Sequence, residues 1–146
     1  MNHSRLSLNE STHEQIHRHL ERCDESFVPQ LSERVNLSEY ARKIHDSANR
    51  FEEWKDGELA GLLAAYFNEH TVFITNISVL PSMRGYGISG RLLERCRDKA
   101  IESNHRSLEL EVDSRNIIAV GIYKKYGFEV IRIAGCTMVM RLAIGC

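Results

Sequence analysis

The chain has 146 residues, enough for one domain (1–146) with a buried core. Its 19 Lys and Arg against 20 Asp and Glu leave a formal charge of −1, which gives no reason to expect nucleic acid or an anionic membrane as partner. No run approaches the ~18 apolar residues of a membrane span. The opening Met1-Asn2-His3-Ser4-Arg5 shows neither signal peptide nor anchor, and four cysteines at 23, 96, 136 and 146 share no metal or disulfide spacing, so a reduced cytoplasm suits the chain.

Ser11-Thr12-His13-Glu14 reads as a capping box opening a helix of about four turns, with Ile16, Leu20 and Cys23 as its apolar stripe. The same helix spells His13-Glu14-Gln15-Ile16-His17, the H-E-x-x-H pattern in which two histidines hold zinc and the glutamate activates water. Its polar flanks and the lack of a third ligand downstream make zinc hydrolysis a remote alternative. Phe27-Val28-Pro29 ends the stripe. Asn36, with Glu39 three residues on, starts a second helix whose buried side is Leu37, Tyr40, Ala41 and Ile44.

Asp56-Gly57 marks a hairpin between two strands, and the second, Leu59 to Phe67, is apolar enough to be covered on both faces. Thr71 to Val79 is β-branched and aromatic, hence a third strand. Ile88, Leu92, Leu93, Cys96, Ala100 and Ile101 repeat at helical spacing. Arg106 to Val112 is a strand and Asn116 to Tyr126 a helix stopped by Gly127. Glu129 to Leu142 is a hairpin turning at Gly135-Cys136. The order is two helices, three antiparallel strands, helix, strand, helix and two strands.

The most informative stretch lies where the third strand meets the third helix. Arg84-Gly85-Tyr86-Gly87-Ile88-Ser89-Gly90 follows Val79 and Pro81 and opens the helix. Glycines let the main chain turn and point successive N–H groups at one place, and the helix N-terminus adds unpaired donors and a positive dipole end. A diphosphate fits such a cradle. No Lys-Ser or Lys-Thr follows, so a Walker loop is excluded. The bare G-x-G-x-x-G of a dinucleotide site is met, but without the expected acidic partner.

With its V-x-P lead-in, the loop resembles the R-G-x-G-x-[GA] diphosphate loop of the GNAT superfamily of N-acetyltransferases. Asn116-Ile117-Ile118-Ala119 through Tyr123 to Tyr126-Gly127-Phe128 resembles that superfamily's N-x-x-A-x-x-x-Y-x-x-x-G-F element. The resemblance implies an α/β (α+β mixed) GNAT-like fold, a central, mostly antiparallel mixed sheet of six to seven strands flanked by four helices. It also implies acetyl-CoA as co-substrate. The cofactor contacts it implies are Arg84, Gly85, Tyr86, Gly87, Ile88, Ser89 and Gly90, backbone groups of Ile77 and Val79, and Asn116, which local sequence also marks as a helix N-cap. Arg84, Arg91, Arg95, Lys124 and Lys125 are candidate cations near the phosphates.

Acetyl transfer to an amine needs a proton acceptor, a donor for the oxyanion and help for the departing sulfur. The resemblance assigns the sulfur to Tyr123, and a backbone N–H near Val79 is the candidate oxyanion donor. Glu111, twelve residues before Tyr123, is the candidate base; that spacing is similar to the Glu/Tyr pair of ribosomal-protein N-terminal acetyltransferases. Two departures stand out: Asn76 where an acidic residue is frequent, and Ser89 where glycine or alanine is usual. Candidate acceptor-pocket residues are Phe27, Tyr40, Phe51 and Tyr66, with Glu33, Glu52 or Glu53 to attract a cation. A small-molecule amine is the first expectation for the acceptor and a peptide N-terminus the alternative; a non-catalytic acyl-CoA-binding domain stays open. A homodimer is compatible with the sequence.

Overall fold

The two-residue turn Asp56-Gly57 takes φ of 49° and 82°, the left-handed pair that matches the twist of a tight hairpin. Around it the computed structural model, which describes residues 4–145, builds one sheet of seven strands. These are β1 (Ser4–Leu8), β2 (Asn49–Lys55), β3 (Glu58–Phe67), β4 (Thr71–Val79), β5 (Ser107–Asp113), β6 (Glu129–Ala134) and β7 (Thr137–Ala143), in the order β1-β2-β3-β4-β5-β7-β6. Only β4 and β5 run parallel. The helices are α1 (His13–Cys23), α2 (Leu37–Ser47), α3 (Ile88–Glu102) and α4 (Ile117–Lys125). Residues 1–3 and Cys146, part of the readings of the chain's start and of the cysteines, lie outside the described residues.

The sheet divides the core. On one side Ile16, Leu20, Ala41 and Ile44 of α1 and α2 meet Leu62 and Ala64. On the other, Leu92, Leu93 and Cys96 of α3 meet Leu63, Ala65 and Val72. Alternate residues of β3 thus serve opposite layers, as its apolar sequence requires. Among the described residues no helix is long and apolar enough to cross a membrane.

Two expectations change near the amino terminus. Strand β1 was not anticipated, because in Ser-Arg-Leu-Ser-Leu only Ser7 is buried and no apolar alternation marks it. Polar contacts hold it: Trp54 Nε1 donates to Ser7 Oγ (2.7 Å), and Ser7 Oγ donates to Glu52 (2.7 Å). Helix α1 begins one residue later than expected and runs 11 residues, three turns rather than four. Thr12 caps it, accepting from Gln15 N, while Gln15 Oε1 accepts from Thr12 N. Ser11 does not cap: its hydroxyl and N–H donate to Glu52, and its oxygen accepts from Arg50 Nε (2.9 Å).

Strand β4 carries the feature that shapes the site. Asn76 pairs with Ala64 and Ile74 with Ala65, so Thr75 is an extra residue, a bulge. One extra residue reverses the alternation. Val72 and Ile74 face the α3 layer, and beyond the bulge Ile77 and Val79 do so, leaving Asn76 and Ser78 toward α1. Tyr40 Oη donates to the Thr75 carbonyl (2.8 Å) and so satisfies a group the ladder leaves unpaired. Pairing of β4 with β5 covers Thr71 to Ile74 against Ser107 to Leu110 and then stops.

Candidate functional site

Where β4 leaves β5, a cavity of about 930 Å³ opens. Its β4 wall is the unpaired stretch from Thr75 to Val79, whose main-chain groups have no β5 partner. An extended ligand can add to that edge as a strand would. Ile77 and Val79, both expected to offer backbone contacts, line it.

At one end stand Arg84, Gly85, Gly87, Ile88, Ser89 and Gly90. Gly85 and Gly87 take φ of 86° and 77°, and Gly87 is the N-cap of α3, with no side chain capping the first turn. Those helix N–H groups remain available to an anion. Gly90 serves packing: a Cβ there would run into the Tyr126 hydroxyl of the following helical segment. Tyr86 is the exception among the expected loop contacts. It is 65% exposed and outside the cavity lining, its carbonyl accepting from Arg91 Nη1 (2.8 Å).

Of the five candidate cations, Arg84 and Lys125 line the cavity and Lys124 does not. Arg91 is instead bound to Glu53 through two contacts of 3.0 and 2.7 Å. Arg95 donates to the carbonyls of Glu52 and Ser7 and lies over the Phe51 ring. Helix periodicity places a basic residue on a face but does not reveal a carboxylate or carbonyl brought there by another strand. Arg34 and Arg115, not among those candidates, do reach the cavity.

Asn116 is the helix N-cap, its Oδ1 accepting from Ala119 N (3.3 Å), and it also lines the cavity. Tyr123 is 8% exposed, tilted against Phe128, and lines the same cavity; burial pushes its phenol above the usual tyrosine range. Glu111 lines the cavity from β5 and is exposed, with no ion-pair partner among the described residues. Glu109, two residues earlier, pairs with Arg141 of β7 (3.3 Å). Asp113 is held down to about 2 by hydrogen bonds from Arg115, so it is an anion in an ion pair rather than a proton acceptor. The loop, the parted strand, Glu111, Asn116 and Tyr123 therefore open into one space.

The acceptor-pocket candidates separate cleanly. Phe27 and Tyr40 line the cavity. Phe51 is buried in the α3 layer and Tyr66 packs on the α2 side, its hydroxyl buried without a hydrogen-bond partner among the described residues. Glu52 and Glu53 are buried and paired within the fold, and Glu33 lies outside the lining. Sequence reasoning missed a polar cluster behind the cavity wall. His19 Nδ1 donates to the Leu59 carbonyl (2.8 Å), and its Nε2 lies 2.9 Å from Ser78 Oγ, which stands 2.9 Å from Asn76 Oδ1. A signal existed: Ile16, His19, Leu20 and Cys23 follow i, i+3, i+4, i+7, which places the histidine on the buried stripe.

The H-E-x-x-H pair holds no comparable site. His13 Nε2 is engaged by the Ser38 carbonyl (2.9 Å), and its ring stacks on His17. Among the described residues no group of three or more His, Cys, Asp or Glu is placed to hold a metal.

Comparison with known proteins gives a consistent picture. The family model described as "Acetyltransferase (GNAT) family" matches residues 13–128. Over 75 residues the chain is 36% identical to a Bacillus subtilis (strain 168) protein provisionally named ribosomal protein bS18-alanine N-acetyltransferase. That match takes in 51% of this chain and 50% of the relative, so it spans about half the relative's length. The crystal structure of the ribosomal-protein-S18-alanine N-acetyltransferase from Escherichia coli superposes with a TM-score of 0.82 at 19% identity, covering 99% of this chain and 96% of that one. The PaiA N-acetyltransferase from Thermoplasma acidophilum, in complex with coenzyme A, superposes with a TM-score of 0.75 at 14% identity over 95% and 99%.

Proposed function

Because the chain belongs to the GNAT acetyltransferase family, and so is an acyltransferase that uses acetyl-CoA, we propose that it acetylates the N-terminal amine of a peptide or protein by direct attack in a ternary complex. One observation carries this reading: an uncapped helix N-terminus, an unpaired strand edge, a free carboxylate and a buried phenol share a single cavity. The small-molecule amine expected from sequence gives way to a peptide terminus. In its support, the B. subtilis relative and the E. coli structure are both named for transfer to an alanine of a ribosomal protein, and Glu111 and Tyr123 line the same cavity.

The residues present fit the co-substrate. The first turn of α3 with Gly85 and Gly87 would hold its diphosphate, Arg84 would add a cation, and the edge at Ile77 and Val79 would take the pantetheine amides. Bound acetyl-CoA supplies the thioester carbon. Glu111, directly or through a water, takes a proton from the arriving ammonium group. An N–H near Val79 would hold the acyl oxygen of bound acetyl-CoA, and Tyr123 would offer its hydroxyl to the thioester sulfur.

Gly87→Ala tests the cradle. Forcing a side chain into the left-handed region costs about 1–2 kcal/mol, so the dissociation constant of acetyl-CoA is expected to rise about tenfold in calorimetry. An unaltered constant removes the loop from cofactor binding. A mass-spectrometric screen of short peptides and small amines tests the acceptor. N-terminally acetylated peptide is expected; acetylation confined to small amines overturns the peptide assignment, and no acetyl transfer at all overturns the transferase reading. Glu111→Gln is expected to lower kcat/KM by about a hundredfold near neutral pH. The deficit shrinks as pH rises, because the amine then arrives already deprotonated. A pH-independent deficit counts against Glu111 as proton acceptor.

A further inference from the structure

We propose that His19 and Ser78 form a positioning pair for the acceptor: His19 fixes the Ser78 hydroxyl hydrogen, and Ser78 Oγ then accepts a hydrogen bond from an N–H of the incoming amine. The proposal rests on the acetyl-transfer reading above. It follows from proton bookkeeping in the cluster behind β4. The Leu59 carbonyl can only accept, so His19 Nδ1 carries a hydrogen. His19 is 2% exposed, and burial pulls its pKa down to about 4, so the imidazole is neutral at working pH and Nε2 holds a lone pair. Ser78 Oγ, 2.9 Å away, has one hydrogen and gives it to Nε2. The Cys23 thiol, 3.7 Å from the same nitrogen, is the weaker competitor.

With that hydrogen committed, Ser78 can only accept. Asn76 must then turn its amide N–H, not its carbonyl, toward Ser78, a half-turn about its Cβ–Cγ bond that brings its carbonyl to the Tyr40 hydroxyl. A hydroxyl has two acceptor lone pairs; Asn76 takes one, and the other, which the weak Cys23 thiol donor also reaches, is open to a stronger N–H donor from the cavity that Ser78 lines. The β4 bulge is what turns Ser78 toward α1, so the hydroxyl lies behind the same strand whose edge faces the cofactor side. An N–H held by Ser78 leaves the nitrogen lone pair free to point at the acyl carbon. The charged groups around His19 are Arg18 and Arg22 of α1 and Glu58 of β3, which line a small pocket on its outer side; Arg22 and Glu58 are themselves paired at 2.9 Å. None of them bonds the imidazole.

The test uses steady-state kinetics with acetyl-CoA and the unacetylated form of a peptide that the screen finds to be a substrate. Ser78→Ala is expected to lower kcat/KM for the acceptor about 10- to 100-fold, the range for a deleted hydrogen bond, with acetyl-CoA affinity unchanged in calorimetry. Ser78→Thr keeps the hydroxyl and retains activity. His19→Gln places an amide oxygen where Nε2 was and is expected to stay within about threefold of the parent. His19→Asn keeps a donor for Leu59 but cannot reach Ser78, and is expected to match Ser78→Ala. Nitrogen-15 NMR is expected to find the neutral Nδ1–H tautomer for His19. Activity of Ser78→Ala within threefold of the parent, equal damage in the two His19 variants, or an Nε2–H tautomer each overturns the pair while leaving acetyl transfer intact. Should the His19 variants fail to fold, the Ser78 variants and the tautomer decide. A parent that acetylates no amine overturns the transferase reading itself and this proposal with it.

Discussion

Tyr123→Phe is expected to lower kcat about a hundredfold while leaving acetyl-CoA affinity and melting temperature close to the parent's. The substitution removes one oxygen from a side chain that is 8% exposed and packed on Phe128, so shape and core are kept. An ordinary phenol near pKa ~10 giving its proton to a thiolate near ~8.5 works uphill by roughly 2 kcal/mol. Burial pushes Tyr123 further up and widens that gap. On the proposed mechanism the hydroxyl would therefore be a neutral donor throughout the working range, acting by a hydrogen bond to sulfur as negative charge grows there, with any transfer late in C–S cleavage. It should contribute no alkaline limb to the pH profile below pH ~10. Steady-state kinetics and calorimetry on the folded variant check this, and unchanged turnover removes Tyr123 from the mechanism.

Glu52→Ala is expected to be the most damaging change to stability. The carboxylate is fully buried and accepts from the hydroxyls of Ser7 and Ser11 and from the N–H groups of Glu10 and Ser11, with Arg50 Nε at 3.4 Å. Removing it strands four donors and takes the counter-charge from Arg50, whose guanidinium keeps its bonds to Ser11 and to the His45 carbonyl, a loss of about 3–5 kcal/mol by comparison with other broken buried pairs. A fall in melting temperature of about 10 °C or more follows for a chain of this size. Burial raises the pKa of this carboxyl, but the bonds from Ser11, Glu10 and Ser7 outweigh it and hold the folded value below the ordinary one. Stability from Glu52 is then complete above the unfolded pKa near ~4.3 and drains away as pH falls through the lowered folded value. Thermal melts across the acid range check the sign: the gap between parent and Glu52→Ala should narrow as pH drops. A constant gap assigns the loss to packing alone.

What could be read in advance was what neighbouring residues dictate. The left-handed turn at Asp56-Gly57, the Asn36 cap and the helix stop at Gly127 are local conformational demands, and each stands where its residues required. The glycine loop ahead of α3 belongs to the same class. Whatever depended on distant partners was hidden. Strand β1 exists because Ser7 meets Glu52 and Trp54, more than forty positions away. Arg91 and Arg95 left the phosphate end because β2 supplied Glu53 and a carbonyl. The proton-fixing of Ser78 joins α1, β3 and β4, which no periodicity connects. Glu111 and Tyr123, by contrast, sit on successive elements of a short β–α unit, so their spacing already implied proximity.

The insertion of Thr75 has a mechanical consequence. Past that residue, on the proposed mechanism, a single ribbon would offer its rim to one reactant and its alternate side groups to the other. The gap between donor and nucleophile is then spanned by a few covalent bonds rather than by the docking of separate parts. Breathing of the surrounding helices would carry both reactants together and leave their separation nearly constant.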